Sequence, residues 1–89
     1  MSNEQVLNVE QARRMISRPG AKKEEILYAI ETVNSLLPGA REVIEHGCRM
    51  ILDSGWSLTA LDYSLISCFS RDSELRRRIY LESRKIVST

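Results

Sequence analysis

Apolar residues recur at spacings of three and four along almost the whole chain, and the runs between them are short and polar. That pattern predicts a series of helices and no strand of useful length. The first helix is expected over residues 9–17, with Val9, Ala12 and Ile16 on one face. Asn8 is a favourable N-cap, and Gln11 can reach back to its backbone in a variant of the capping box. Pro19-Gly20 ends this helix. A second helix is expected over residues 22–37, where Ile26, Leu27, Ile30, Val33 and Leu37 form the apolar stripe. Lys22 and Lys23 oppose the helix dipole at its start, and Glu24 and Glu25 partly offset them. Pro38 and Gly39 break it.

The third helix is expected over residues 40–54, burying Val43, Ile44, Gly47, Cys48, Ile51 and Leu52. Gly55 suits the left-handed position after its end. Trp56 would then pack on Ile51, as in a Schellman stop. Ser57 reads as the N-cap of the fourth helix, with Trp56 and Leu61 as a hydrophobic staple. Thr59 with Asp62 is a competing cap two residues later. Leu58, Leu61, Leu65, Ile66 and Phe69 supply the core face. After the polar turn 70–73, a fifth helix is expected over residues 74–87. Leu75, Ile79 and Ile86 point inward there and the arginines mostly outward. Asp72 and Glu74 suit the start of this helix, and Arg84 and Lys85 its last turn. Together these elements describe one all-α domain over residues 1–89, a compact bundle of four or five short helices. Residues 1–7 read as a flexible N-terminal segment.

Composition supports a folded domain, with 43% hydrophobic and 28% charged residues. At 89 residues the core margin is thin, and association with a second copy would add to it. The net charge of +1 argues against a protein built mainly to hold nucleic acid. The charge is unevenly spread, however. Residues 71–89 hold six Lys/Arg and three acids, a net +3, whereas the first seventy residues sum to −2. The first residues carry neither a basic start nor an apolar run, and no window approaches about 20 apolar residues. The two cysteines, Cys48 and Cys68, read as reduced, partly buried thiols. The expected location is the cytoplasm.

The chain is poor in catalytic constellations. His46 and Cys48 are two apart on a helix and point to different sides, so they cannot close on one metal ion, and His46 cannot activate Cys48. His46 is expected on the surface and Cys48 in the core. The carboxylate pairs Glu42/Glu45 and Glu24/Glu25 read as solvated helix faces, with Glu45 paired to Arg49 at i, i+4. No Gly-rich phosphate loop occurs. No enzyme, cofactor or metal is expected.

Two functional classes fit what remains. Residues 55–80 could form a helix-turn-helix that uses Arg76, Arg77 and Arg78 on DNA. Asp72 and Glu74, however, would face the phosphates, Ile66 stands where a small residue belongs, and the three arginines spread over about 200° of helix. The favoured expectation is a regulatory protein-interaction module serving as connector, adaptor or inhibitor, and homodimeric because a chain this small gains from burying the broad stripes of its second and third helices against a copy of itself. Its expected partner-binding residues are Arg76, Arg77, Tyr80, Tyr63 and Trp56, because Tyr, Trp and Arg are enriched at interface hot spots.

The run Val43-Ile44, Ile51-Leu52, Ser54-Gly55, Ser57-Leu58-Thr59, Leu65-Ile66 and Ile86-Val87 resembles small enterobacterial biofilm and acid-resistance regulators of the YmgB/AriR type. Those proteins have an I-L-x-S/D-G stop, a polar L-S/T restart and an L-I/L pair in the next helix. The resemblance covers roughly half of the chain. It departs in the shorter turn before the last helix and in Trp56 and Phe69. It implies an all-α homodimer that connects to a signalling regulator, with no catalytic residues to carry over.

Overall fold

A computed structural model describes residues 7–87 as five helices: α1 (Val9–Ser17), α2 (Lys23–Thr32), α3 (Ala40–Asp53), α4 (Ala60–Phe69) and α5 (Ser73–Val87). Among the described residues no strand forms, and the fold is the all-α bundle that the periodicity predicts. Residues 1–6 lie outside the described residues. The side chain of Ile86 does too, so its expected inward placement is not among the observations.

The start of α1 follows from Asn8 and Gln11 alone. Asn8 Oδ1 accepts the Gln11 N–H at 2.8 Å, and the Asn8 N–H donates to Gln11 Oε1 at 3.0 Å. The start of α2 is closed by Glu25, whose Oε1 accepts the Lys22 N–H at 3.0 Å. Its end departs from the expectation. The helix stops at Thr32, five residues early, because Val33 turns to extended backbone. There the backbone of Leu7 forms an isolated parallel bridge with Val33. The Leu7 N–H donates to the Thr32 carbonyl at 3.0 Å, and the Leu7 carbonyl accepts the Asn34 N–H at 3.1 Å. Leu7 thus belongs to the packed domain rather than to a loose tail. It satisfies a helix-end carbonyl that would otherwise lack a partner. Asn34 then turns the chain, its Oδ1 accepting the Leu36 N–H at 3.0 Å. Val33 stays buried, but Leu37 is 38% exposed and leaves the stripe.

α3 ends at Asp53, one residue before the expected end, with Gly55 in the expected left-handed conformation at φ 82°. The Schellman bond is replaced, however. Ser54 Oγ donates to the Ile51 carbonyl at 2.7 Å and accepts the Trp56 N–H at 3.0 Å, so the serine hydroxyl stands between them. Trp56 lies on the surface and is not among the hydrophobic residues packed on the core.

At the head of α4 the competing cap prevails. Thr59 Oγ1 accepts the Asp62 N–H at 3.2 Å, and Asp62 Oδ2 accepts the Thr59 N–H at 2.9 Å. Ser57 is left outside the helix. Leu61, expected in the core, becomes the second helical residue and is 67% exposed. The staple positions pass to Leu58 and Tyr63, and both pack against the core. The winning cap has a further tie: Asp62 Oδ2 also accepts from Lys23 Nζ at 2.8 Å, which joins the heads of α2 and α4. Burial by itself would raise the Asp62 pKa. The bonds from Lys23 and Thr59 outweigh that and hold it below the usual carboxylate value. The hydrogen bond to Asp62 likewise raises the Lys23 pKa.

The core combines Ile16 of α1, Ile26 and Ile30 of α2, Ile51 and Cys48 of α3, Ile66 of α4 and Ile79 of α5. α3 approaches α1 and α2 closely at Gly47. A methyl there would sit 2.9 Å from Ile30 Cγ1 and 3.2 Å from Ile16 Cδ1.

Candidate interaction surface

The surface that carries most of the expected partner residues is built on α4 and α5, and the turn between them fixes how the two helices stand. Ser70 is buried in that turn. Its Oγ donates to Glu45 Oε1 at 2.6 Å, and the Arg71 N–H donates to Glu45 Oε2 at 2.6 Å. Arg41 Nη1 donates to the Phe69 carbonyl at 2.7 Å and to Glu45 Oε2 at 3.2 Å. Glu45 is therefore not part of a solvated face, and its side chain is only 14% exposed. Arg49 pairs instead with Asp72, at 3.9 Å. These charge-assisted bonds pin the turn to α3. Asp72 then starts α5, its Oδ1 accepting the N–H groups of Glu74 at 2.9 Å and Leu75 at 3.2 Å.

The arginine triplet is split by this arrangement. Arg78 turns back to Asp53 at the end of α3 and to Glu82, the latter at 2.9 Å. The side chains of Arg76 and Arg77 are exposed and make no hydrogen bond or ion pair to any described residue. Tyr80 is 60% exposed, with the Arg84 guanidinium 5.7 Å from its ring centroid. Leu81, which the sequence reading did not single out, is 50% exposed beside it. Leu75 and Ile79 on the opposite side anchor the helix in the core.

Tyr63 and Tyr80 meet in one groove of about 410 Å³ between the two helices. Its other lining residues include Ile79, Ala60, Ser64 and Cys68, and none of the residues lining it is charged. Burial, then the nearby charges of Glu82 and Asp62, raise the Tyr63 pKa, so its hydroxyl remains a donor at neutral pH. Trp56 stands apart from this group. It lines a separate hollow with Gly20, Ala21 and Lys22 at the loop between α1 and α2. The structure thus brings together four of the five expected residues on α4 and α5, and places the fifth elsewhere.

His46 is on the surface and Cys48 in the core, as their spacing implies. Cys48 Sγ lies 3.7 Å from the Ile66 carbonyl, and burial pushes its thiol up to about 12, which keeps it protonated and unreactive at neutral pH. Cys68 is exposed, contrary to the partly buried thiol expected. Among the described residues, no three His, Cys, Asp or Glu side chains come together as a metal site. None of the described helices is long and apolar enough to cross a membrane.

No family model matches the chain, and no curated protein or solved structure matches it.

Proposed function

We propose that this chain is a small regulatory protein that acts by protein–protein interaction, as a connector, adaptor or inhibitor, and that it self-associates. The observation that carries this reading is the outer face of α5. Arg76, Arg77, Tyr80 and Leu81 are exposed there, on a helix whose inner side is anchored by Leu75 and Ile79. An exposed tyrosine flanked by arginines is the residue mixture that interface centres favour, and Leu81 beside it adds apolar area. The capped, pinned turn before α5 limits the ordering cost of binding. DNA reading suits this face less well, because Asp72 and Glu74 occupy the end of α5 that would enter the groove and Arg78 is engaged by Asp53.

The test is affinity capture from a native extract with the wild-type chain and with Arg77→Glu. Charge reversal should lower partner retention about tenfold, equivalent to roughly 1.4 kcal/mol, while the helical circular-dichroism signal is unchanged. Equal retention by the two proteins would remove α5 from the interface.

A further inference from the structure

The outer face of α5 has a counterpart on α2. Ile26, Ala29 and Ile30 bury one side of α2 and leave the opposite side to Glu24, Tyr28 and Glu31. These three fall at spacings of four and three, within about 60° around the axis. All are exposed, Tyr28 to 44%, and the Glu31 side chain makes no hydrogen bond or ion pair to any described residue. On α5, Arg77, Tyr80, Leu81 and Arg84 fall within about 100° around the axis. One stripe is acidic around a tyrosine, and the other is basic around a tyrosine and a leucine. Each runs seven residues between its outermost charges, about 10 Å along a helix. Set antiparallel, Arg77 comes level with Glu31, Tyr80 and Leu81 with Tyr28, and Arg84 with Glu24. Within one molecule Glu24, Tyr28 and Glu31 on the one stripe and Arg77, Tyr80 and Leu81 on the other are exposed to solvent.

Resting on the reading of α5 as the interaction helix, we infer that the occupant of its outer face is a second copy of this chain, docked through the acidic stripe Glu24–Tyr28–Glu31 of α2. Charge selects this pairing over the alternatives. Two α5 stripes would set arginine against arginine, and two α2 stripes glutamate against glutamate, so each stripe rejects its own kind. The contact is therefore between unlike faces. A two-fold dimer contains it twice, and any other rotation repeats it along a chain of copies. Tyr28, Tyr80 and Leu81 lose their solvent in either case and form the apolar centre between the two charge pairs.

The test is sedimentation velocity at high micromolar protein and low salt, on the full chain and three variants. Wild type should associate, and added salt should weaken the association. Arg77→Glu and Glu31→Arg should each weaken it about tenfold or more. An equimolar mixture of those two variants should associate again, because each keeps the charge that the other has reversed. Tyr28→Ala should weaken association without altering charge, and far-ultraviolet circular dichroism should show every variant folded. A monomeric wild type overturns the inference. So does a mixture no more associated than its components. If Arg77→Glu weakens association and Glu31→Arg does not, the α2 stripe is not the partner, whereas α5 remains the docking helix. If neither variant changes it, both the pairing and the role of α5 fall.

Discussion

Around Gly47, Ile16 and Ile30 close on α3 at van der Waals distance, with no polar side chain involved. Around Ser70, by contrast, one buried hydroxyl, two backbone groups, the Arg41 guanidinium and the Glu45 carboxylate hold the turn between α4 and α5 against α3. The first three helices cohere mainly by hydrocarbon burial, which carries no charge to titrate or to screen. The last two contribute Ile66, Leu75 and Ile79 to the same core, but their position is set by polar bonds: Glu45 to the turn, Lys23 to Asp62, Arg49 to Asp72 and Arg78 to Asp53. Apolar packing gathers the elements, and the polar bonds decide which way the exposed helix faces. The proposed interaction surface lies on the half held in the second way.

The largest effect should come from breaking the hydrocarbon side. Ile30→Ala removes a side chain that is 1% exposed and should cost about 2–5 kcal/mol in urea unfolding. A loss below about 1 kcal/mol would mean that hydrocarbon burial is not what holds the first three helices together. Next in size is Glu45→Ala. It leaves the Ser70 hydroxyl and the Arg71 N–H without their acceptor and should cost about 1–3 kcal/mol. Its signature is local. The Arg71 amide should exchange faster with solvent, while amides in α1 change only as much as global stability does. Unchanged exchange at Arg71 would show that another contact holds the turn.

A smaller difference separates the two candidate caps of α4. Thr59→Ala should destabilise by about 1 kcal/mol, whereas Ser57→Ala should stay within about 0.5 kcal/mol. The reverse order would return the helix start to Ser57. The smallest effect is the pH dependence of the Lys23–Asp62 tie. Asp62 has a folded pKa below its ordinary value of 3.8, so its stabilisation is present above that value and is lost as pH falls through the folded pKa. Lys23 is the mirror case. Its folded pKa lies above 10.5, so its contribution persists below that value and is lost as pH rises through the folded one. The stability gap between wild type and Asp62→Asn should therefore be constant near neutrality and narrow below pH 3.8. A gap that persists in strong acid would place the value of Asp62 in packing rather than charge.

The caps show how far the sequence could be read. Asn8 and Gln11 are three residues apart, with no competitor nearby, and they form the expected box. Thr59 and Asp62 were equally visible, but Ser57 offered a rival start. The choice between them goes with Lys23, which is 39 residues from Asp62. On the proposed surface, the exposure of Arg77 and Tyr80 followed from helical spacing. The diversion of Arg78 to Asp53 did not, because the two are 25 residues apart and no local pattern pairs them. Trp56 was misplaced for a local reason instead: Ser54 captured the bond that would have drawn its backbone to Ile51.

The amino-acid sequence by itself determined a bundle of four or five helices, most of their apolar faces, the N-cap of α1 and the stop at Gly55, because each depends on residues within about two turns of one another. The tertiary structure alone decided where α2 ends, which cap begins α4, which carboxylate Arg49 pairs with and which arginines of α5 reach solvent. Each of those choices is a competition between a local hydrogen bond and one made across the fold. Its outcome depends on which partner the packed core brings within about 3 Å.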